Sequence, residues 1–439
     1  MSDTNANSVA FVRETMLEEK APPSTAVGVV GWAKANLFSG AFNTILTLVS
    51  LAFVLYILWG LVPWLLSPTW GALSLNECRE INGPGHGGAC WGVISDRWQQ
   101  LLFGFYPNGS DGAADLRWRP VLALGLLFVA IAPVLFDKVP RKLFYMTAVY
   151  PFMMPWLLWG GSVWLPVMVM LGLVLGYLII KYGADKIGSL AALIVGVLAT
   201  VLFWLYGVSP VADAIHSAIP LGLEPVESRK FGGFMLSITI GVVAIMCSLP
   251  IGIVLALGRQ SDLLIVKALC VGFIEFIRGV PLITLLFVAS TLLNIFLPPG
   301  TNFDIILRVM IMVTLFAAAY MAEVIRGGLA ALPKGQYEGA DSLGLDYWQA
   351  QRLIIMPQAL KISIPGIVST FIGVFKDTVL VSIIGLLDPL GLSNAIRADA
   401  DWNGIVWEIY GFIALLFFVV CFSMSRYSMY LERKLKTSH

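Results

Sequence analysis

Apolar residues run along this chain in long uninterrupted stretches, and the stretches have the length of membrane-crossing helices. About 20 mostly apolar residues carry a helix across a bilayer. The interval from Lys34 to Glu77 holds one stretch, centred on 41–66, and the interval from Arg119 to Asp137 holds a second. The interval from Lys142 to Lys181 is too long for one span, and Trp159-Gly160-Gly161-Ser162 reads as a turn dividing it into two short helices. Lys186 to Asp213 and Lys230 to Arg259 enclose one stretch each, and further spans lie near 268–297, 305–325, 363–386 and 406–427. The pattern predicts an all-α, polytopic transmembrane bundle of about ten spans. A membrane barrel is excluded, because its strands would alternate apolar and polar positions.

Composition narrows the class. Of 439 residues, 58% are apolar and 13% charged, against about 25% charged in a soluble domain. That deficit excludes an ordinary cytosolic enzyme and a disordered chain. A net charge of +1 offers no bulk attraction to nucleic acid. Lys and Arg near span ends set sidedness. The N-terminal tail (Arg13, Lys20, Lys34), the loops at 137–142, 181–187, 259–267 and 326–361, and the C-terminal tail all carry them. With an even number of spans these segments share one side, taken as cytoplasmic, with both termini on it. Glu14, Glu18 and Glu19 sit where a signal peptide needs an apolar core, so 1–34 reads as a cytoplasmic tail. The expected organisation is that tail, a five-span extension over 35–208 with an outer loop at 67–118, an outer linker at 209–232, and a C-terminal module at 233–436 with a cytoplasmic loop at 326–361.

The two halves differ in charge. The N-terminal spans have charge-free centres and read as lipid-embedded packing. In the C-terminal module, Glu275, Arg278, Arg308, Glu323, Lys376 and Asp377 fall within or at the edges of spans. Ionisable groups in a bilayer are costly and face partners or wet cavities. Glu275 with Arg278, and Glu323 with Arg326, have the i, i+3 spacing of helical ion pairs. They read as pairs that fix helix ends and help gate an inner exit. Lys376, Thr378 and a carboxylate such as Asp377 or Glu323 would together match the two charges of an amino-acid zwitterion. Glu275 and Arg278 are carried with them as substrate-path residues. Cys78 and Cys90 share the outer loop and either pair there as a disulfide or remain free thiols; Cys247, Cys270 and Cys421 read as core residues. No CxxC occurs, and His86, His216 and His439 are scattered, which argues against a metal site. Trp59, Trp64, Trp70, Trp91 and Trp98 read mostly as interface anchors. Asn108-Gly109-Ser110 reads as a turn rather than a glycosylation site.

The loop at 326–361 is too charged for lipid and too patterned for a linker. A short helix over 334–343 ends at Gly344, and Asp346 caps a second over 347–355 ahead of Pro357. Leu353 and Ile354 are expected to pack this knob against the bundle. Glu338-Gly339-Ala340, three residues, Gly344, nine residues, then Ile354-Ile355-Met356-Pro357 resembles the EAA loop of ATP-binding-cassette (ABC) importer permeases, with Gly339 for Ala and Met356 for Leu. Glu275-Phe276-Ile277-Arg278-Gly279-Val280-Pro281-Leu282 resembles the E-x-x-R-G-T-P-L segment of the polar amino-acid permeases. Ala319-Tyr320-Met321-Ala322-Glu323-Val324-Ile325-Arg326-Gly327-Gly328 and Lys376-Asp377-Thr378-Val379-Leu380 are similar to two further segments of theirs. The N-terminal extension looks like that of the M component of alphaproteobacterial general L-amino-acid permeases.

The resemblance implies a type I importer permease core within 233–436 and a non-catalytic transport subunit in a bacterial inner membrane. It implies an ATPase docked through Glu338, Gly339, Ala340, Gly344, Ile354 and Pro357, with Pro357 ending the knob before the next span. The implied partners are a second permease subunit, an ATPase dimer that binds ATP-Mg, and a periplasmic binding protein that delivers L-amino acids to loops such as 209–232 and 387–405. The long loop 67–118 is an additional docking surface. No Gly-Lys pair exists in the chain, so it has no phosphate-cradling P-loop of its own and no cofactor is expected in it. An ion-coupled secondary transporter using Glu275, Glu323 or Asp377 is the competing reading; it would have no ATPase to dock. A membrane enzyme is disfavoured by the lack of HExxH, GxSxG or a His/Cys cluster.

Overall fold

The structure is a computed structural model that describes residues 28–83, 87–109, 114–292, 295 and 304–435. Tail residues 1–27, His86, Ser110, most of the end of the span expected at 268–297, Lys436 and His439 lie outside the described residues. The described chain is almost wholly helical, in keeping with its continuous apolar runs. In order come α1 (Gly28–Asn36), α2 (Ala41–Leu65), α3 (Leu75–Asn82), α4 (Gly92–Phe103), α5 (Trp118–Leu135), α6 (Phe144–Trp159), α7 (Trp164–Ile187), α8 (Ser189–Leu202) and α9 (Val208–Ala218). The second half holds α10 (Gly233–Gln260), α11 (Leu264–Gly279), α12 (Leu282–Phe287), α13 (Ile305–Ala330), α14 (Lys334–Ser342), α15 (Tyr347–Ala350), α16 (Met356–Asp377), α17 (Pro389–Arg397) and α18 (Trp407–Leu435).

Among the described residues, eight helices are long and apolar enough to cross a membrane, or nine if the pair α11–α12, bent by 102°, counts as one span. The expectation of about ten counts one more, α6, whose 16 residues include Pro151 and Pro155 and follow directly on a 3-10 turn at Arg141–Leu143. Two expected loops are also partly helical. The segment 67–118 contains α3 and α4, and α8 continues through a π turn at Phe203–Gly207 into α9, so the linker expected from 209 starts inside a helix. Pro210 does not stop that helix, because it follows directly on the π turn, where the regular hydrogen-bond ladder is already interrupted.

The chain forms two compact units, 1–68 with 82–89, and 69–81 with 90–439. This division differs from a boundary at 209–232. In the first, α2 is apolar on every side and has no buried residue. Asn82 and Ala89 are fastened to its end by hydrogen bonds from Ser67 Oγ to Asn82 Oδ1 (2.7 Å) and from the Ala89 amide to the Trp64 carbonyl (3.0 Å).

In the second unit α5 and α6 pair closely. The Tyr150 hydroxyl donates to the Ala123 carbonyl (3.0 Å) and the Tyr106 hydroxyl to the Leu158 carbonyl (2.7 Å). Their apolar faces share one buried cluster with α10 and α13, through Leu127, Met154, Leu236, Ile240 and Val309. These two helices are therefore part of the main core and not lipid-embedded packing alone. A smaller cluster joins α7 and α9 through Met168, Val208 and Ala212. A two-residue antiparallel pair, Gly161 opposite Leu223 and Ser162 opposite Gly222, closes that subassembly. Small residues let the central helices approach. A Cβ on Gly328 of α13 would lie 2.5 Å from the Ala359 carbonyl of α16, so only glycine fits that crossing.

Candidate functional site

The knob at one end of the central helices is built by local chemistry. Its first helix, α14, ends at Leu343, and Gly344 takes the left-handed backbone (φ 70°) that turns the chain at little cost. Asp346 then caps α15 with a reciprocal box: its carboxylate accepts from the Gln349 amide (2.8 Å) while the Gln349 side chain accepts from the Asp346 amide (3.2 Å). The knob buries one side and exposes the other. Ala340 and Ile355 are fully buried, and Ile354 and Tyr337 pack on the same cluster as Ala256, Ile274, Met321 and Leu329. Burial there pushes the Tyr337 phenol above its ordinary pKa. Glu338, Gly339 and Gly344 are exposed, as are Leu343 (73%), Trp348 (70%) and Leu353 (64%).

Two expectations about this loop are corrected. Leu353 points away from the bundle, and Ile355 fills the place foreseen for it. Pro357 does not end the knob. A π turn at Gln351–Ile355 carries α15 into α16, with Pro357 in the first turn of α16. Proline is tolerated in a helix where the backbone N–H it lacks is already left over. The helix that carries the span expected from 363 therefore starts at Tyr347.

Beside the knob's root, five charged side chains from three helices converge. Glu323 of α13 meets Arg326 (Oε2 to Nη2, 3.0 Å), Arg259 (Oε1 to Nη1, 2.5 Å) and Arg278 (Oε2 to Nη1, 3.8 Å). Glu275 of α11 meets Arg259 (3.0 Å) and Arg278 (4.0 Å). The i, i+3 pairs read from the sequence are present, and the Glu323 side chain is only 16% exposed. Arg259, read from the sequence only as a loop boundary, joins both pairs. Its signal was position, a cation in the last turn of a span, where the helix dipole favours positive charge. Arg278 also lies over the Tyr320 ring at 5.6 Å.

Of the residues proposed for zwitterion recognition, Lys376 and Asp377 are adjacent at the end of α16, whereas Glu323 lies at another level. Gly366 of α16 lies level with Val324 of α13, against which a Cβ would stand at 2.7 Å. Lys376 is ten residues further along α16, about 15 Å away along the axis, while Glu323 is next to Val324. Lys376 is exposed and, among the described residues, forms no ion pair; Asp377 is half-buried. Thr378 is fully buried and donates to the Phe375 carbonyl (2.7 Å), so it lines no accessible cavity. A cavity of about 740 Å³ between α6, α10 and α13 is lined by residues such as Tyr150, Met154, Val243, Cys247 and Ile311. That apolar lining suits lipid better than an amino acid.

At the opposite end of α10, the segments 69–81 and 90–104 lie as a strap across the starts of α10 and α18 and over α17. The sulfurs of Cys78 and Cys90 are joined in a disulfide. Next to it, the buried carboxylate of Glu408 accepts from the Cys90 amide (2.8 Å). The Trp402 indole, fully buried, donates to Asp96 (2.9 Å), Arg97 pairs with Asp399 (3.1 Å), and the Leu75 amide donates to the Asp401 carbonyl (2.8 Å). Val93, Ile94 and Leu101 pack with Leu392, Ile396 and Ile409. Beneath the strap, Asp388 caps α17 by accepting from the Leu390 and Gly391 amides (3.2 and 2.9 Å). Burial pushes its carboxyl up to about 6. The sequence offered one hint of this arrangement, an acid, Glu408, at the very start of an apolar run. Among the described residues no group of His, Cys, Asp and Glu is arranged to hold a metal ion.

Comparison with known proteins bears on these sites. The family described as "Binding-protein-dependent transport system inner membrane component" matches residues 248–437. Over 444 residues the chain is 59% identical to a glutamate/glutamine/aspartate/asparagine transport system permease protein of Rhodobacter capsulatus, covering 100% of both. It is 40% identical over 416 residues to an inner membrane amino-acid ABC transporter permease protein of Escherichia coli, covering 92% of this chain and 93% of that one. A probable glutamine ABC transporter permease protein of Bacillus subtilis is 31% identical over 202 residues, covering 46% of this chain and 90% of that one.

Proposed function

The chain belongs to the amino-acid ABC transporter permeases, multi-pass components of the inner membrane, and on that premise we propose that it forms half of a translocation pathway driven by a separate ATPase docked on 334–357. Family membership removes the ion-coupled alternative. The observation that carries the docking reading is the two-sided knob. Ala340, Ile354 and Ile355 root it in the bundle, while Glu338, Leu343, Trp348 and Leu353 face outward. Exposed aromatic and aliphatic side chains around a charge, on a rigid protrusion, have the make-up of an interface anchor. Gly339 and Gly344 keep the outward side slim and bent, and Pro357 seats the knob on α16.

The cycle follows from a two-state equilibrium. Closure of an ATP-Mg-loaded ATPase dimer pulls two knobs together, one from this chain and one from a second permease subunit, and biases the bundle between states open to either side. A periplasmic binding protein delivers substrate at the strap end. This requires the knob to be cytoplasmic, the side to which Lys and Arg assign it. The substrates proposed are L-glutamate, L-glutamine, L-aspartate and L-asparagine, after the Rhodobacter relative's name. Lys376 and Asp377, at the far end of α16 from the knob, are proposed to meet the substrate's charges where the two subunits face each other. Glu323, Glu275 and Arg278 act instead at the inner exit. Purification tests the docking. The wild-type chain retains the ATPase through affinity chromatography, and Trp348→Glu with Leu353→Glu loses it while the permease pair stays intact. An unchanged yield of ATPase would sink the docking surface.

A further inference from the structure

The charge cluster gives Arg259 a part that its place at the end of an apolar run does not announce. We propose that Arg259 is a positioning residue for transport, tying the last turn of α10 to α11 and α13 so that movement of the knob carries the translocation helices with it. This rests on the permease reading above and names the residue through which its stroke passes.

Arg259 is the cluster's only member on α10 among the described residues. Its Nη1 is shared between Glu275 Oε1 on α11 and Glu323 Oε1 on α13. Glu323 holds Arg326 and Arg278 on its other oxygen, so without Arg259 the ion pairing of α11 with α13 survives while α10 loses its only ion pairs among the described residues. The apolar contacts nearby do not replace it. Ala256 of α10 packs with Ile274, Met321 and the knob's Ile355, but burial of apolar surface is non-directional and resists sliding poorly. A guanidinium between two carboxylates sets register as well as proximity. Three arginines face two glutamates, the Glu275 side chain is 53% exposed, and each such contact is worth about 1 kcal/mol or less. Bonds of that strength hold a helix end in each state and still exchange during a cycle. α13 runs on through Ala331 and Pro333 into the knob, so force on the knob arrives at Glu323 first.

The test uses the full transporter, with its partner permease, ATPase and binding protein, in proteoliposomes, reading L-glutamate uptake and ATP hydrolysis together. Arg259→Gln is expected to leave hydrolysis within about twofold and to cut L-glutamate moved per ATP about tenfold. Arg259→Lys, which keeps a cation within reach of both carboxylates, is expected to restore most of that ratio. Glu275→Gln removes one of the two acceptors and is expected to lower the ratio about threefold; it serves equally if Arg259→Gln fails to assemble. Spin labels at positions 260 and 330 read the same link without substrate, with a distance distribution broader in Arg259→Gln than in the wild type. Uptake and hydrolysis falling in proportion, a lysine variant no better than glutamine, or an unbroadened distribution overturns the proposal. A wild-type complex that hydrolyses ATP but moves no L-glutamate refutes the substrate reading instead, and the label distances still decide the role of Arg259.

Discussion

The two ends of α10 are held by different chemistry. At one end the strap is fixed by a disulfide, a buried carboxylate on a backbone amide and an indole on an aspartate, over a layer of aliphatic side chains. At the other end α10 packs on its neighbours through aliphatic side chains such as Ala256 and is tied to them by partly exposed ion pairs from a single arginine. A disulfide and deeply buried hydrogen bonds are costly to break, whereas partly solvated ion pairs exchange partners at small cost. On the proposed reading, that asymmetry suits a permease whose strap end receives substrate while its knob end changes state. The knob packs beside the exchangeable end, where a partner's movement can be felt.

The sharpest way to break the comparison is at the strap. Cys78→Ser with Cys90→Ser removes a cross-link worth about 2–4 kcal/mol. Thermal unfolding in detergent should shift downward and amide exchange over 397–410 should quicken, with exchange at 320–330 unchanged. Equal quickening at both ends would abolish the distinction drawn here. Next in size is Glu323→Gln, which leaves three arginines without their central carboxylate. Its expected cost is about 1–3 kcal/mol, and 1 M salt should narrow the difference from wild type, since screening acts within about 3 Å at that strength. The double cysteine variant should respond to salt no differently from wild type.

Asp388 sharpens the comparison through pH. Its carboxyl titrates at about 6 in the folded protein against an ordinary value of 3.8, so folding favours the protonated form. The stabilisation is complete below the unfolded value and is lost as pH rises through about 6. Wild type should therefore gain stability over Asp388→Asn between pH 7 and pH 4, by up to about 3 kcal/mol, as read from melting temperatures across that range. A difference independent of pH would mean that the cap bonds to Leu390 and Gly391 keep the group ionised. The smallest effect is expected from Arg278→Lys, whose contacts at 3.8 and 4.0 Å should contribute less than about 1 kcal/mol, within the scatter of the unfolding measurement.

Much of the inner end was legible in the sequence because its signals are local. Gly344 and Asp346 act on their own backbone neighbours, and Glu275 with Arg278 or Glu323 with Arg326 lie one helical turn apart. The exposed side of the knob was misjudged at Leu353, and its end at Pro357, because a π turn changes which side of a helix each residue faces. Glu323 does not reach Lys376 because chemistry suited to a ligand says nothing about the level at which each group sits.

The sequence by itself determined what depends on neighbours a few residues apart: an all-helical membrane bundle, a capped knob between two spans, and a family resemblance carried by short motifs. Only the tertiary structure decided which distant groups meet. Arg259 reaches partners 16 and 64 residues away, and Glu408 reaches an amide 318 residues away. Such pairings depend on where whole helices pack, which is set by summed burial and the small residues that permit close approach. No local pattern of charge encodes that sum, and for this reason the helix that joins the two ends of the molecule could be read early, while what grips each end could not.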